Sequence, residues 1–138
     1  MVWSSTQNVF ALVGRILMAY FFIPAGVGKI TGFAGTVGYA TSVGMPMPTL
    51  AVGAGLVIEL VGGLALLLGW GTRWAALVLA FFTLIASLFF HAYWGLPAEQ
   101  AFMQQLLFTK NVAVVGGLLA FAAFGPGAFS VDGRRSTV

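Results

Sequence analysis

Apolar residues run almost unbroken through four stretches of the chain, at about residues 8–30, 48–69, 73–94 and 105–124. Each stretch holds the roughly 20 residues that an α-helix needs to cross the hydrocarbon core of a bilayer. Continuous runs exclude a β-barrel, whose strands alternate apolar with polar positions. The pattern therefore predicts an all-α fold, an integral membrane four-helix bundle forming one domain over residues 1–138. Breakers bound the runs: Gly69-Trp70-Gly71-Thr72 is a tight turn, and Gly125, Pro126 and Gly127 stop the fourth helix. Trp70, Trp74, Tyr93 and Trp94 fall at predicted helix ends, as an aromatic belt requires.

The first connection carries its own pattern. Phe33, Val37, Ala40 and Gly44 recur at helical spacing with Thr36, Tyr39 and Ser42 between them, and Gly44 and Pro46 end the element. A short amphipathic helix lying in the membrane surface is expected here.

Composition agrees with the pattern. The 138 residues are 60% hydrophobic and 7% charged, against about 25% charged in a soluble domain. A net charge of +3 raises the question of nucleic acid, but the six basic residues form no stripe or cluster, so no nucleic-acid partner is expected. The absence of cysteine removes disulfides, thiolate metal ligands and dithiol chemistry, and one histidine cannot build a zinc site, so no metal is expected. Residues 1–14 lack lysine and arginine, and the first apolar stretch runs on to Lys29, so a cleavable signal peptide is not expected. Arg15, Arg73, Arg134 and Arg135 share one face, while Lys29 and Lys110 approach the other. The positive-inside rule then places both termini in the cytoplasm.

Ionisable groups inside a crossing usually face the bundle interior or a cavity. Glu59 falls near the midplane, and Arg15 sits near enough on the first helix for its long side chain to reach, so a buried Arg15–Glu59 contact is expected. Such a pair can be a fold-holding ion pair or a proton relay. A second group gathers near the other face: Lys29, His91 and Lys110, with Asn111 beside them. Thr83, Ser87 and His91 follow at four-residue steps, a polar stripe on the third helix. Lys110 shares a face with Gly117, and Glu59 lies among Gly55, Gly62 and Gly63, small residues that permit close helix approach. Singly, the lysines could snorkel to head groups and His91 could be an interfacial histidine. Their convergence at one depth points to a binding site. Three cations gathered without a counter-charge would repel, so either His91 stays neutral or an anionic group joins them, Glu99 in the third connection or a bound anion, lipid head group or quinone oxygen.

These residues resemble the DoxX family. The resemblance rests on Gly14-Arg15, Ala25-Gly26-x-x-Lys29, Phe33-Ala34-Gly35-Thr36, Gly44-x-Pro46 and Glu59 with Gly62-Gly63. It continues in Leu68-Gly69-x-x-Thr72-Arg73, His91 with Trp94, Lys110-Asn111 with Gly116-Gly117, and Phe124-Gly125-Pro126-Gly127 with Asp132, so it spans nearly the whole chain. It implies a small four-helix protein of the bacterial inner membrane. It also implies kinship with the membrane subunit of a thiosulfate:quinone oxidoreductase and with proteins tied to redox complexes or oxidative stress. The family's polar residues correspond to Arg15, Lys29, Glu59, His91, Lys110 and Asn111.

The leading expectation is a membrane subunit of a redox system that binds a quinone or similar amphipathic ligand between its helices. Lys29, His91, Lys110 and Asn111 would hold the ligand, and a redox enzyme partner would supply the electrons. One alternative is a non-catalytic accessory protein stabilising a membrane or periplasmic enzyme. Another is a small proton-coupled transporter using Glu59 in a homo-oligomer. Membrane lipid is a partner in every case.

Overall fold

The computed structural model describes residues 4–136. Six helices follow in order: α1 Ser5–Thr31, α2 Phe33–Ser42, α3 Pro48–Leu68, α4 Thr72–Phe90, α5 Ala98–Phe124 and α6 Val131–Arg135. Four of them, α1, α3, α4 and α5, are long and apolar enough to cross a membrane. They run up, down, up and down, so that Asn8 near the N-terminus and Ala128 beyond α5 meet at one end, the Ala128 N–H donating to Asn8 Oδ1 at 2.8 Å. α1 packs mainly on α3 and α4 on α5, with α3 and α4 joined by the turn at residues 69–71.

The distribution of residues is inside-out relative to a water-soluble bundle. Large apolar side chains face outward, Tyr20 at 77%, Trp74 at 75% and Phe81 at 69% exposure, while Arg15, Thr83 and Ser87 are buried. That arrangement suits hydrocarbon as the outer solvent, where burying an apolar residue gains little and close backbone packing gains more. The interior accordingly mixes Phe22, Leu66, Leu79 and Leu118 with small residues such as Ala76 and Ala80. Glycines set the closest approaches. A Cβ on Gly62 would stand 2.8 Å from Leu79 Cγ, and one on Gly26 would stand 2.7 Å from Leu60 Cγ. At Gly69, φ is +67°, and a Cβ there would also press on Arg15 Nη1 at 2.8 Å. Glycine is needed there on both counts.

Three helix ends differ from the pattern. α1 begins at Ser5 instead of residue 8 because Ser4 and Gln7 form a capping box, with Ser4 Oγ accepting from Gln7 N at 3.2 Å and Gln7 Oε1 accepting from Ser4 N at 2.7 Å. α4 stops at Phe90, not residue 94, since His91 turns to φ −126°, ψ 29°. Most consequential, α5 starts at Ala98 and not at residue 105. The segment Ala98-Glu99-Gln100-Ala101 is polar, which masked it as a loop, but it consists of strong helix formers. Lys110 and Asn111 therefore lie in the body of α5, about 18 Å from its start.

The short helix expected in the first connection is α2. Tyr39 anchors it to α4, donating its hydroxyl to the Phe90 carbonyl at 3.0 Å and stacking on the Phe90 ring with centroids 5.4 Å apart.

Candidate functional site

The charged residues sort to two places in the bundle. At the end where α1 begins and α5 stops, Arg15, Arg73 and Asp132 each meet a helix terminus. Arg15 is fully buried and makes no ion pair with a carboxylate among the described residues. Its Nη1 donates to the Leu66 and Leu67 carbonyls at 3.1 and 2.9 Å, its Nε to Pro126 at 3.1 Å, and its Nη2 to Phe129. The guanidinium thus caps the last turn of α3, where unpaired carbonyls concentrate negative charge, and ties the C-terminal segment to it. Arg73 does the same for α5, donating to Ala122 and Ala123 at 3.3 and 2.7 Å. Asp132 caps the opposite polarity, accepting from the Gly71 and Thr72 N–H groups at the start of α4, both at 2.9 Å. Partial burial alone would push the Asp132 carboxyl up, but the Thr72 and Gly71 hydrogen bonds and the nearby Arg135 charge hold it below the ordinary aspartate value.

The expected Arg15–Glu59 contact is absent. Glu59 pairs instead with Lys29, whose Nζ stands 2.9 Å from both carboxylate oxygens. The reason is the direction of side chains on a helix. Cα–Cβ bonds tilt toward the N-terminus. Lys29 therefore reaches back one turn to Gly26, against whose bare backbone the Glu59 Cβ packs, while Arg15 on the same helix points away from Glu59. The pair is deep but asymmetric: the Glu59 side chain is 8% exposed and that of Lys29 is 23%.

Around this pair opens a cavity of about 280 Å³ between α1, α2, α3, α4 and α5, lined by Lys29, Glu59, His91, Lys110 and Asn111 with aromatic walls from Phe21, Phe82 and Phe90. Lys29, His91 and Lys110 are therefore brought to one space, while Arg15 is not. The counter-charge of the cluster is Glu59, not Glu99, which is exposed in the first turn of α5 and makes no ion pair among the described residues. Lys110 Nζ lies over the Phe21 ring, 5.1 Å from its centroid, a cation–π contact that bridges α5 to α1. His91 Nδ1 is 2.9 Å from Gln104 Oε1. Since an amide oxygen only accepts, Nδ1 carries a proton and Nε2 is free to accept when the ring is neutral.

Asn111 is held by a relay of hydrogen bonds. Its Nδ2 donates to Ser87 Oγ at 2.9 Å, and Ser87 Oγ donates to the Thr83 carbonyl at 2.7 Å. Asn111 Oδ1 and Thr83 Oγ1 are buried with no hydrogen-bond partner among the described residues. An apolar chamber of about 130 Å³ adjoins the cavity, sharing Lys29, Thr36, Phe82, Ala86 and Phe90 with it and extending to Met45, Val52 and Ile58.

Several lining residues were not singled out from the sequence: Phe21, Phe22, Phe82 and Phe90 read as ordinary apolar positions. Thr36 and Tyr39 carried a signal, since they stand three residues apart on the polar side of α2 close after Lys29. Asp132 was singled out only through the family resemblance, and Gln104 had no signal beyond polarity.

The family model described as DoxX matches residues 10–92, which hold α1 except its first residues and the whole of α2, α3 and α4. The chain belongs to the DoxX family. It is 44% identical to the inner membrane protein YqjF of Escherichia coli K12 over 91% of this chain and 92% of that one. It is 36% identical to the inner membrane protein YphA of the same organism, over 96% and 94%. A Surfeit locus protein 4 homolog of Drosophila melanogaster is 29% identical over 94% of this chain, which spans 42% of that longer protein. No solved structure matches the chain. As a DoxX protein with four apolar spans, it is a membrane protein; the cavity and the helix-end caps lie largely within or against the matched region.

Proposed function

We propose that this DoxX protein is a ligand-binding membrane subunit of a redox system, taking a quinone or a closely similar amphipathic ring compound between its helices. The observation that carries the reading is a buried polar cluster inside an aromatic-lined cavity. A charged or amide group within a membrane bundle is retained at a cost in stability and marks function more often than packing. The cavity volume, about 280 Å³, is at the low end for a small-molecule site. It suits a head group alone. The adjoining apolar chamber suits the start of a hydrocarbon tail.

Charge supports a neutral ligand better than an anion. Glu59 already neutralises Lys29, which leaves Lys110 as the cation available to a ligand oxygen. Lys110 and the third Nζ proton of Lys29 are donors suited to quinone oxygens, and the aromatic walls suit a flat ring. Electrons would come from a partner enzyme, since the chain has no cysteine to carry them as a dithiol. The orientation that accompanies the reading is an inner membrane protein with both termini in the cytoplasm, resting on Arg73, Arg134 and Arg135.

The test is thermal stabilisation of the detergent-purified protein by a short-chain benzoquinone. Lys110→Met and His91→Leu should each reduce the shift in melting temperature while leaving the ligand-free melting point nearly unchanged. No shift in the parent protein at millimolar quinone would remove the reading. A second reading, a non-catalytic accessory protein, draws on the Lys29–Glu59 pair, which satisfies both charges without any ligand. It requires that Lys29 and Glu59 variants fail in partner assembly but not in quinone binding.

A further inference from the structure

The cavity holds acceptors as well as donors, and one of them is oriented by the protein itself. Ser87 Oγ has a single proton, and it goes to the Thr83 carbonyl one turn back on α4, at 2.7 Å. Toward Asn111, 2.9 Å away, Ser87 can therefore only accept. That decides which end of the Asn111 amide faces Ser87: the NH2 group does, and the oxygen is turned away. Asn111 Oδ1 is consequently a fixed acceptor, on a residue 8% exposed, with no partner among the described residues. Thr83 Oγ1, on a residue 3% exposed, is likewise unpartnered. Both residues line the cavity. An unpaired acceptor in a water-poor interior costs about 1–3 kcal/mol, so a ligand that brings a donor to it gains over one that does not.

A quinone ring carries acceptor oxygens only. Its reduced form, the quinol, carries two hydroxyls, each able to donate one hydrogen bond and to accept others. Donation to Asn111 Oδ1 leaves the second hydroxyl for the Glu59 carboxylate or Thr83 Oγ1, and a hydroxyl oxygen can still accept from Lys110. From this arrangement we infer that the cavity selects the reduced, dihydroxylated ring over the oxidised one, with Asn111 as the specificity-determining contact and Ser87 as the residue that positions it. The inference rests on the reading of the cavity as a quinone-type site and adds the redox state it prefers. A tenfold preference makes the bound couple about 30 mV more oxidising.

The experiment is isothermal titration of the intact protein in detergent, without oxygen, with a short-chain ubiquinone and with the same compound reduced to its quinol. The quinol should bind at least tenfold more tightly. Hydroquinone should likewise outbind its dimethyl ether, which keeps the ring and both oxygens but has no donor. Ser87→Ala frees the Asn111 amide to rotate, and Asn111→Leu removes the acceptor. Either change should reduce the quinol preference to within about threefold. Equal binding of quinone and quinol by the parent protein overturns the inference and leaves the proposed function standing. Absence of binding by either form overturns both. The parent comparison decides the matter even if a variant fails to fold.

Discussion

The two ends of the bundle use the same few charged residues in opposite ways. At the terminal end, Arg15 and Arg73 cap the carbonyls of α3 and α5, and Asp132 caps the N–H groups of α4. Donors and acceptors there face each other, with Thr72 Oγ1 the exception, buried and without a hydrogen-bond partner among the described residues. At the other end Lys29 and Glu59 satisfy one another, but Lys110 rests on a ring, and Asn111 and Thr83 keep unpaired oxygens beside a cavity. On the proposed reading, the difference separates charge that builds the fold from charge kept available for a ligand. Burial does not distinguish the two, since Arg15 is the most deeply buried ionisable residue and belongs to the structural end. What distinguishes them is whether the unused hydrogen-bonding groups belong to residues that line a cavity, as Asn111 and Thr83 do and Thr72 does not.

The comparison breaks most visibly at Arg15. Arg15→Met removes four hydrogen bonds and leaves several carbonyls unpaired, so it should destabilise the bundle by about 3–5 kcal/mol, read as a shift in denaturant unfolding in micelles. Arg15→Lys should recover only a minority of that loss, because an ammonium cannot span α3 and the C-terminal segment as a planar guanidinium does. A variant as stable as the parent would show that the caps are incidental.

Next in size is the Lys29–Glu59 pair. Lys29→Met should cost about 2–3 kcal/mol, below the full value for a broken buried pair because Lys29 is partly exposed. Combining it with Glu59→Leu should restore much of the loss. Double-mutant cycles sharpen the assignment: Lys29 and Glu59 should couple by about 1–3 kcal/mol, whereas Arg15 and Glu59 should be additive within about 0.5 kcal/mol. Strong Arg15–Glu59 coupling would revive the contact that the geometry replaces.

Asp132→Asn is the smallest of the three, at about 0.5–1 kcal/mol for a charge at a helix N-terminus. Its pH dependence has a definite sign. The folded carboxyl lies below its ordinary value, so its contribution is fully present above about pH 4 and fades as pH falls through the lower folded value. Acid unfolding of Asp132→Asn should therefore be flatter than that of the parent below pH 4; parallel curves would count against the cap.

The architecture was legible because hydrophobic runs and glycine breakers are local signals, and because α2 and the Gly69 turn carry their periodicity and breakers in few residues. Lys29, His91, Lys110 and Asn111 were legible as a set because polar residues are rare in such a chain. Their partners were not. Pairing Arg15 with Glu59 followed from matching depth alone, while the outcome depended on side-chain tilt toward the helix N-terminus and on Gly26 admitting Glu59 beside α1. The true start of α5 was hidden because polarity at a membrane edge looks the same in a loop and in a helix. No local pattern could reveal that residues 126–132 fold back onto Arg15 and the start of α4, a contact made across more than 50 residues.

The central claim, that the cavity and not the capped end receives a ligand, is most directly tested by cysteine protection. The chain has no cysteine, so a single Ala86→Cys reports on the wall shared by the cavity and its apolar chamber, and Glu99→Cys reports on an exposed site outside both. In native membranes a short-chain ubiquinol should slow maleimide labelling at position 86 several-fold and leave position 99 unchanged. Equal labelling at position 86 with and without saturating quinol would contradict the account.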